Sequence, residues 1–313
     1  MAAAGSSSVR LLMPSELNAN GIDAPTTASR LWGVVKTWLV VVPFFLFAFM
    51  FLVLPALSIT VGSFSDNDTG AFTLANIIEL RRPSIVSAYS VSVRISVVTA
   101  LLGGVFGFLM AWAVSLGQLP RWVRSALLTF SGVASNFAGV PLAFAFVATI
   151  GRLGAVTVLL KALGVDLYGA GFSLYTFIGL CLTYLYFQLP LMILVITPSL
   201  DGMKTRWREA CQSLGGSTWQ FWRFIALPIL TPPLLGAMVL LFGNAFGAYA
   251  TAYALTSGQI NLVTMVIGQQ ISGDALHNPG LGNALALGMV VIMVISVAIY
   301  TLLSRRSARW LNR

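Results

Sequence analysis

The sequence predicts an all-α integral membrane protein with about six transmembrane helices, and three observations support this prediction. Of the 313 residues, 58% are hydrophobic and only 9% are charged, whereas a soluble domain carries about 25% charged residues. Six apolar stretches reach the ~20 residues that a helix needs to cross a bilayer. The basic residues concentrate on alternate connections between these stretches. A water-soluble enzyme, a disordered chain and a disulfide scaffold are therefore excluded.

The predicted spans follow one another along the chain. We expect them at residues 38–62, 85–116, 126–150, 174–197, 229–252 and 281–303. The second span is interrupted only by Arg94 and is long enough to tilt in the bilayer. It also carries Gly103 and Gly107, four residues apart, a spacing that lets helix backbones approach closely in lipid. The sequence therefore predicts a membrane domain at 38–303, flanked by cytosolic tails at 1–37 and 304–313.

The distribution of charge predicts the orientation of these spans. If both termini are cytosolic, the inner segments hold 13 basic and four acidic residues, and the outer segments hold four basic and five acidic ones. Basic residues are enriched on the cytosolic side of membrane proteins. We therefore expect both termini inside and an even number of spans. The net charge of +9 is interpreted as membrane orientation and lipid contact, and not as nucleic-acid binding.

The sequence lacks the residue patterns that several kinds of chemistry require. No Asp or Glu lies inside a predicted span, which disfavours a proton- or sodium-coupled carrier. No Lys is set in the Gly-Lys-Ser/Thr pattern of a phosphate-binding loop. Cys181 and Cys211 form no disulfide or metal pattern, and His277 is the single histidine. We expect a non-catalytic chain without a metal or cofactor of its own.

The loop at 198–228, between the fourth and fifth spans, is the unusual segment. It is predicted to form two short amphipathic helices joined by a turn, which composition alone interprets as an interfacial helix pair that lies on lipid headgroups. The apolar stripe of the first helix comprises Met203, Trp207, Ala210, Cys211 and Leu214.

Local signals predict where these two helices begin and end. Gly215 and Gly216 are expected to end the first helix, because glycine accepts the left-handed conformation of a helix cap. Ser217 and Gln220 form a capping-box pattern that begins the second helix. Pro228 is expected to stop or kink the second helix before the fifth span.

The spacing of particular residues within this loop resembles the motif of a known family. It reads Glu209-Ala210-Cys211, three residues, Gly215, nine residues, then Ile225-Ala226-Leu227-Pro228. This resembles the EAA loop of the membrane subunits of binding-protein-dependent ABC importers, which reads Glu-Ala-Ala, three residues, Gly, nine residues, Ile-x-Leu-Pro. Cys211 is the one departure, a small residue in place of the second Ala. The resemblance covers about residues 85–303.

The resemblance implies that the first loop helix is a coupling helix, docked on a separate cytosolic ATPase. Glu209 would hold the coupling helix in place through its charge. Arg206 and Arg208 would pair with acidic groups on the ATPase or with lipid phosphates. The residues implied in coupling are Arg206, Arg208, Glu209, Ala210, Cys211, Gly215, Ile225, Leu227 and Pro228.

The resemblance also implies the partners and the location of the chain. Two cytosolic ATPase subunits would carry ATP and Mg, and this chain would carry no cofactor. A periplasmic binding protein would deliver the solute. A second permease chain, homologous rather than identical, would complete the pathway in a bacterial inner (plasma) membrane. Residues 135–146 resemble permeases of the polyamine, opine and phosphonate type, which implies a small charged solute.

The solute pathway is predicted from polar side chains within the spans, because amides and phenols can hydrogen-bond a desolvated solute. The predicted pathway residues are Arg94, Asn136, Tyr184, Gln188, Asn244, Tyr249 and Tyr253. Gly243 and Gly247 would allow a backbone break beside Asn244. The alternative for the Asn and Tyr side chains is hydrogen bonding between neighbouring helices. For Arg94 the alternative is snorkelling to the outer surface.

Two other functional classes remain open at this point. One is a secondary carrier or channel that works without ATP. The other is a membrane-embedded enzyme or assembly protein. Copurification with an ATPase would distinguish an importer subunit from both.

Overall fold

The computed structural model describes residues 38–308, apart from residues 40, 68, 118 and 273–276. The predicted tail at 1–37 and residues 309–313 of the second tail lie outside the described residues. The described residues up to Ser58 belong to one compact unit, and those from Ile59 onward belong to a second. The regular secondary structure of the described residues is helical, and their only extended pairing is an isolated bridge between Ser65 and Phe72. This confirms the predicted all-α class.

Twelve helices occupy the described part of the chain. They are α1 (Val41–Ser63), α2 (Ala75–Glu79), α3 (Pro83–Leu116), α4 (Arg121–Asn136), α5 (Val140–Ile150), α6 (Ala155–Ala162), α7 (Phe177–Asp201), α8 (Thr205–Ser213), α9 (Thr218–Phe246), α10 (Tyr249–Thr256), α11 (Val263–Ser272) and α12 (Pro279–Ala308). Six segments are long and apolar enough to cross a membrane: α1, α3, α7, α9, the greater part of α12, and Val140–Ala162, which comprises α5 and α6. This confirms the predicted number of spans.

The third predicted span, 126–150, is not one continuous helix. The chain instead forms α4 and α5, separated at Phe137, Ala138 and Gly139. Gly139 has φ 76° and ψ −149°, a conformation that is essentially restricted to glycine. The prediction failed because the flanking residues are as apolar as a continuous span would be.

The fifth predicted span, 229–252, is also interrupted. Helix α9 ends at Phe246, and α10 begins at Tyr249 after Gly247 and Ala248. This confirms the backbone break predicted near Gly243 and Gly247. The intervening residues leave helical geometry at Ala248, whose ψ is 85°.

The predicted stop at Pro228 is wrong. Helix α9 runs without interruption from Thr218 to Phe246, so the second loop helix and the fifth span are one element. Residues Trp222–Ala226 adopt π-helical geometry just before Pro228. Proline lacks an N–H and crowds the preceding helical turn. The wider π-helical turn at Trp222–Ala226 lies where the proline would otherwise crowd the backbone. The helix therefore continues through Pro228.

Helix α7 lies at the centre of the bundle and packs against α3, α4 and α9. Close approach to α3 depends on glycine. A Cβ added to Gly107 would lie 2.6 Å from the Met192 Cβ, and one added to Gly103 would lie 2.9 Å from the Gln188 Cβ. This confirms that the Gly103–Gly107 spacing serves helix packing.

Polar contacts join the connections at each end of the bundle. At one end, Arg124 forms an ion pair with Asp201 at 2.5 Å. At the other end, Asn67 donates to the Asn278 side chain at 2.7 Å and accepts from the backbone N–H of Gly280 at 2.8 Å. Segments predicted to share a side of the membrane therefore meet at the same end.

Candidate functional site

Helix α8 ends as its glycines predict. Gly215 has φ +78°, and its N–H donates to the Gln212 carbonyl at 2.9 Å. The Gly216 N–H donates to the Cys211 carbonyl, also at 2.9 Å. These two bonds form a Schellman motif, which satisfies carbonyls that would otherwise lack partners at the helix end. The turn between α8 and α9 therefore has a defined geometry.

The start of α9 is defined equally well. The Ser217 hydroxyl accepts from the Gln220 N–H at 3.2 Å, and the Gln220 side chain accepts from the Ser217 N–H at 2.7 Å. This confirms the predicted capping box. Because α9 continues into the membrane bundle, this turn joins α8 directly to a span.

The charged side chains of α8 are accessible. Arg206, Arg208 and Glu209 are all exposed. None of the ion pairs found within the described residues involves any of the three. Their charges are therefore available to a partner surface, as the loop resemblance implies.

An apolar groove of about 690 Å³ lies between α8 and the start of α9. Its lining includes Trp207, Cys211, Leu214, Phe224 and Ile225. Leu214 is 89% exposed and Phe224 is 68% exposed. Of the other predicted coupling residues, Ala210 and Gly215 also line the groove, Leu227 is exposed, and Pro228 is half-buried. The helix pair presents apolar surface beside exposed charge, an arrangement that suits a protein partner.

The left-handed conformation of Gly215 is expected to be important for transport. We expect Gly215→Val to reduce ATP-driven uptake about tenfold, because a β-branched residue in this conformation costs on the order of 1–2 kcal/mol and reorients α8. Gly215→Asn is the matched control, since Asn tolerates the left-handed region. Uptake into proteoliposomes with the partner ATPase measures both variants. Equal uptake by the two variants would show that the turn geometry is unimportant.

The structure brings two of the predicted pathway residues together. Asn136, at the end of α4, and Asn244, near the end of α9, line one groove of about 690 Å³. Both are exposed. The Asn136 amide donates to the Gly132 carbonyl at 3.0 Å. Ser135 and Tyr300 line the same groove. Neither residue was predicted from the sequence, because a single Ser or Tyr in an apolar span gives no periodic signal.

The predicted tyrosines of α10 form an exposed pair. The rings of Tyr249 and Tyr253 are stacked, with centroids 5.4 Å apart and an interplanar angle of 25°. Tyr249 is 40% exposed and Tyr253 is 53% exposed. The pair lies beyond the break that follows α9, and neither ring lines the groove that holds Asn136 and Asn244.

Tyr184 and Gln188, predicted for the pathway, are buried in the bundle. The Tyr184 hydroxyl donates to the Ala248 carbonyl at 2.7 Å, and the Gln188 amide donates to the Leu241 carbonyl at 2.8 Å. Their exposed fractions are 1% and 0%. This geometry matches the alternative weighed from the sequence, hydrogen bonding between helices, and not a position that faces the pathway.

Arg94 is exposed on α3. It does not line the groove that holds Asn136 and Asn244. No ion pair involves it among the described residues. A pathway role for Arg94 stays a prediction.

A search of the described residues finds no group of three or more His, Cys, Asp or Glu side chains that could hold a metal ion. Cys181 is buried and Cys211 is partly buried, and neither is in a disulfide. The polar groups of the groove are neutral donors and acceptors. They can bind a solute without chemical change.

The sequence matches the family described as binding-protein-dependent transport system inner membrane component, over residues 103–309. The chain belongs to this family. The match begins within α3 and includes the loop at 198–228 and α12. The family identity and the six candidate spans together establish a multi-pass inner membrane protein of the transporter class.

Relatives and solved structures agree with this assignment. A probable sulfate transport system permease protein of Chlorella vulgaris is 29% identical over 71% of this chain and 78% of its own length. The sulfate permease CysT of Escherichia coli is 27% identical over 60% of this chain and 64% of its own length. The structure of a bacterial ABC transporter for the import of alginate matches 88% of this chain and 99% of that chain, with a TM-score of 0.67 and 17% identity.

These relatives correct the subfamily expected from residues 135–146. They do not support the polyamine, opine and phosphonate type, and a sulfate-type permease fits them better. The segment that carried the resemblance contains the break between α4 and α5. Its glycine and proline serve the backbone geometry there, which does not depend on the solute.

Proposed function

We propose that this chain is one permease subunit of an ATP-driven importer for a small tetrahedral oxyanion of the sulfate type. The observation that carries the proposal is the family match over 103–309, which includes the coupling loop. The named sulfate permeases among its relatives support the solute class.

The chemistry of the described bundle also favours an anion. The groove presents the neutral groups of Ser135, Asn136, Asn244 and Tyr300, and no Asp or Glu lies among the residues that line it. A polyamine would need carboxylates along its path to replace its hydration. Neutral amides and hydroxyls donate hydrogen bonds to sulfate oxygens without this requirement.

The exposed face of α8 and its continuity with the bundle support coupling to a partner. In this proposal two cytosolic ATPase subunits bind ATP and Mg, and α8 docks on one of them. A periplasmic binding protein delivers the solute, and a second permease chain, a homologue, supplies the other half of the pathway. Both termini lie in the cytosol, which agrees with the charge distribution.

Reconstitution tests this function. The chain, purified from its native membrane, should copurify with an ATPase that contains a phosphate-binding loop. Proteoliposomes that contain this complex and its binding protein should take up radiolabelled sulfate only when ATP is supplied on the side of the bilayer that carries the ATPase subunits. Excess unlabelled thiosulfate should compete, and spermidine should not. Uptake by the single chain without ATP would instead establish a carrier or channel, and competition by spermidine would restore the polyamine assignment.

The groove residues lead to a second prediction. We expect Asn136→Ala and Asn244→Ala each to lower the rate of sulfate uptake about fivefold to tenfold, because each removes a hydrogen bond to the desolvated anion. Gln269→Ala is the matched control, since Gln269 is an exposed amide on α11 outside the groove. ATPase activity is measured alongside uptake. Wild-type kinetics in both groove variants would exclude this lining.

A further inference from the structure

Two interrupted helices lie side by side in the bundle. The first interruption comprises residues 137–139, between α4 and α5, and the second comprises residues 247–248, between α9 and α10. Helix α5 packs against α10. We call these two interruptions the paired break. Each one leaves backbone groups without their helical partners, so their hydrogen bonds must be made elsewhere.

One side chain joins the two interruptions directly. The Thr251 hydroxyl accepts from the Gly139 N–H at 2.7 Å. Thr251 is only 2% exposed. A Cβ placed on Gly139 would lie 3.8 Å from the Ala250 Cβ, so the two backbones are in close contact there. Loss of this hydroxyl would leave a backbone N–H with no partner in a region that water reaches poorly.

Helix α7 secures the paired break from the other side. The Tyr184 hydroxyl reaches the Ala248 carbonyl inside the second interruption, and Gln188, one turn later, reaches the Leu241 carbonyl of α9. Leu142 of α5, Ala252 of α10 and Tyr184 of α7 belong to one buried cluster. The hydrogen bonds and the apolar packing therefore join the same three helices.

Exposed polar residues flank the paired break. Asn136 directly precedes the first interruption, and Tyr249 directly follows the second. An interrupted helix is the usual place for a hinge, because it has lost its internal hydrogen bonds. Here the lost bonds are replaced by Thr251 and Tyr184, which removes the freedom that a hinge requires.

We propose that Thr251 and Tyr184 are positioning residues that lock the paired break, so that α5 and α10 stay in contact throughout the transport cycle. This inference rests on the proposed function as an importer. The locked paired break keeps the side chains before and after it in fixed relative positions. Movement during transport then occurs between this unit and other subunits, and not within the paired break.

A reversible cross-link tests the lock. Val140→Cys and Ala250→Cys are introduced together, after Cys181→Ala and Cys211→Ala remove the native thiols. Val140 and Ala250 are exposed. Val140 directly follows Gly139, where an added Cβ would lie 3.8 Å from the Ala250 Cβ, so a short cleavable thiol reagent is expected to join the two cysteines. We expect the cross-linked chain to keep sulfate uptake within twofold of the uncross-linked chain. Failure to cross-link, or arrest of uptake that reductant reverses, would overturn the proposal. Each single-cysteine chain is the control for reagent attachment alone.

A hydroxyl series tests the two positioning residues. Thr251→Val keeps the side-chain shape and removes the acceptor, whereas Thr251→Ser keeps the acceptor. We expect Thr251→Val and Tyr184→Phe to lower uptake about tenfold and to increase labelling of Asn136→Cys by a water-soluble maleimide. Thr251→Ser should restore both values to within twofold of the parent. If Val and Ser at position 251 behave alike, the hydroxyl does not position the break.

The two experiments separate this proposal from the proposed function. Sulfate uptake is also measured with the parent chain in the same liposomes, so that the sulfate assignment is tested independently of any variant. Cross-linking and maleimide labelling require no transport, so they report on the paired break even if the solute is not sulfate. An inactive parent with the expected labelling pattern would reject the sulfate assignment alone.

Discussion

Glu209→Lys is expected to reduce ATP-driven uptake about 100-fold while the chain still inserts and assembles its spans. The Glu209 carboxylate is exposed on α8, just after two exposed arginines, Arg206 and Arg208, so it adds nothing to the packing of the bundle. In the proposed complex it meets the ATPase, where a reversed charge costs several kcal/mol. Such a cost corresponds to about two orders of magnitude in binding.

Two controls test whether the effect of Glu209→Lys arises from docking on the ATPase. Gln212→Lys places a new positive charge on the same exposed helix and should keep uptake within about threefold, because rim charges contribute little. Copurification of the ATPase with each variant measures docking separately from transport. Normal uptake by Glu209→Lys at wild-type expression would remove this residue from the coupling mechanism.

Gly107→Leu is expected to destabilise the bundle by about 2 kcal/mol or more, since overpacking a filled site typically costs 1–3 kcal/mol. The added Cβ would lie 2.6 Å from the Met192 Cβ and 3.0 Å from the Leu189 carbonyl oxygen. Neither neighbour can move without displacing α7. The apparent unfolding temperature in detergent should fall by about 5 °C or more.

Gly132→Leu provides the matched comparison. A Cβ on Gly132 would meet no atom within 4 Å, and Gly132 lies in the middle of α4. Leucine there should leave the unfolding temperature unchanged or raise it, because leucine favours the helix more than glycine does. Similar unfolding temperatures for the two leucine variants would show that α3 and α7 do not pack closely at Gly107.

Local sequence patterns predicted much of this structure. The cap at Gly215 and the capping box of Ser217 and Gln220 were predictable because each hydrogen bond joins residues at most five positions apart. The spans were predictable because about 20 apolar residues cross a bilayer whatever they pack against. The same local character explains why the two helices and the turn of the loop at 198–228 could be predicted residue by residue.

The course of the third and fifth spans could not be predicted in this way. Gly139 indicates a possible interruption, but its N–H is bonded to Thr251, 112 residues later in the chain. Pro228 shows the opposite case, because a residue that usually ends a helix lies within one continuous helix, just after a π-helical turn. In both places a contact or a local change of helix geometry outweighs residue preference.

The sequence alone specified a six-span helical bundle, its charge asymmetry and the helix-turn-helix geometry of the loop at 198–228, since these depend on composition and on neighbours along the chain. The tertiary structure decided which polar side chains are accessible. Asn136 and Asn244 share an exposed groove, whereas Tyr184 and Gln188 are buried against α9 and its break. All four are polar residues within predicted spans and look alike in the sequence. They differ because a helix in a bundle buries one face and exposes another, and the neighbours on each face come from distant parts of the chain.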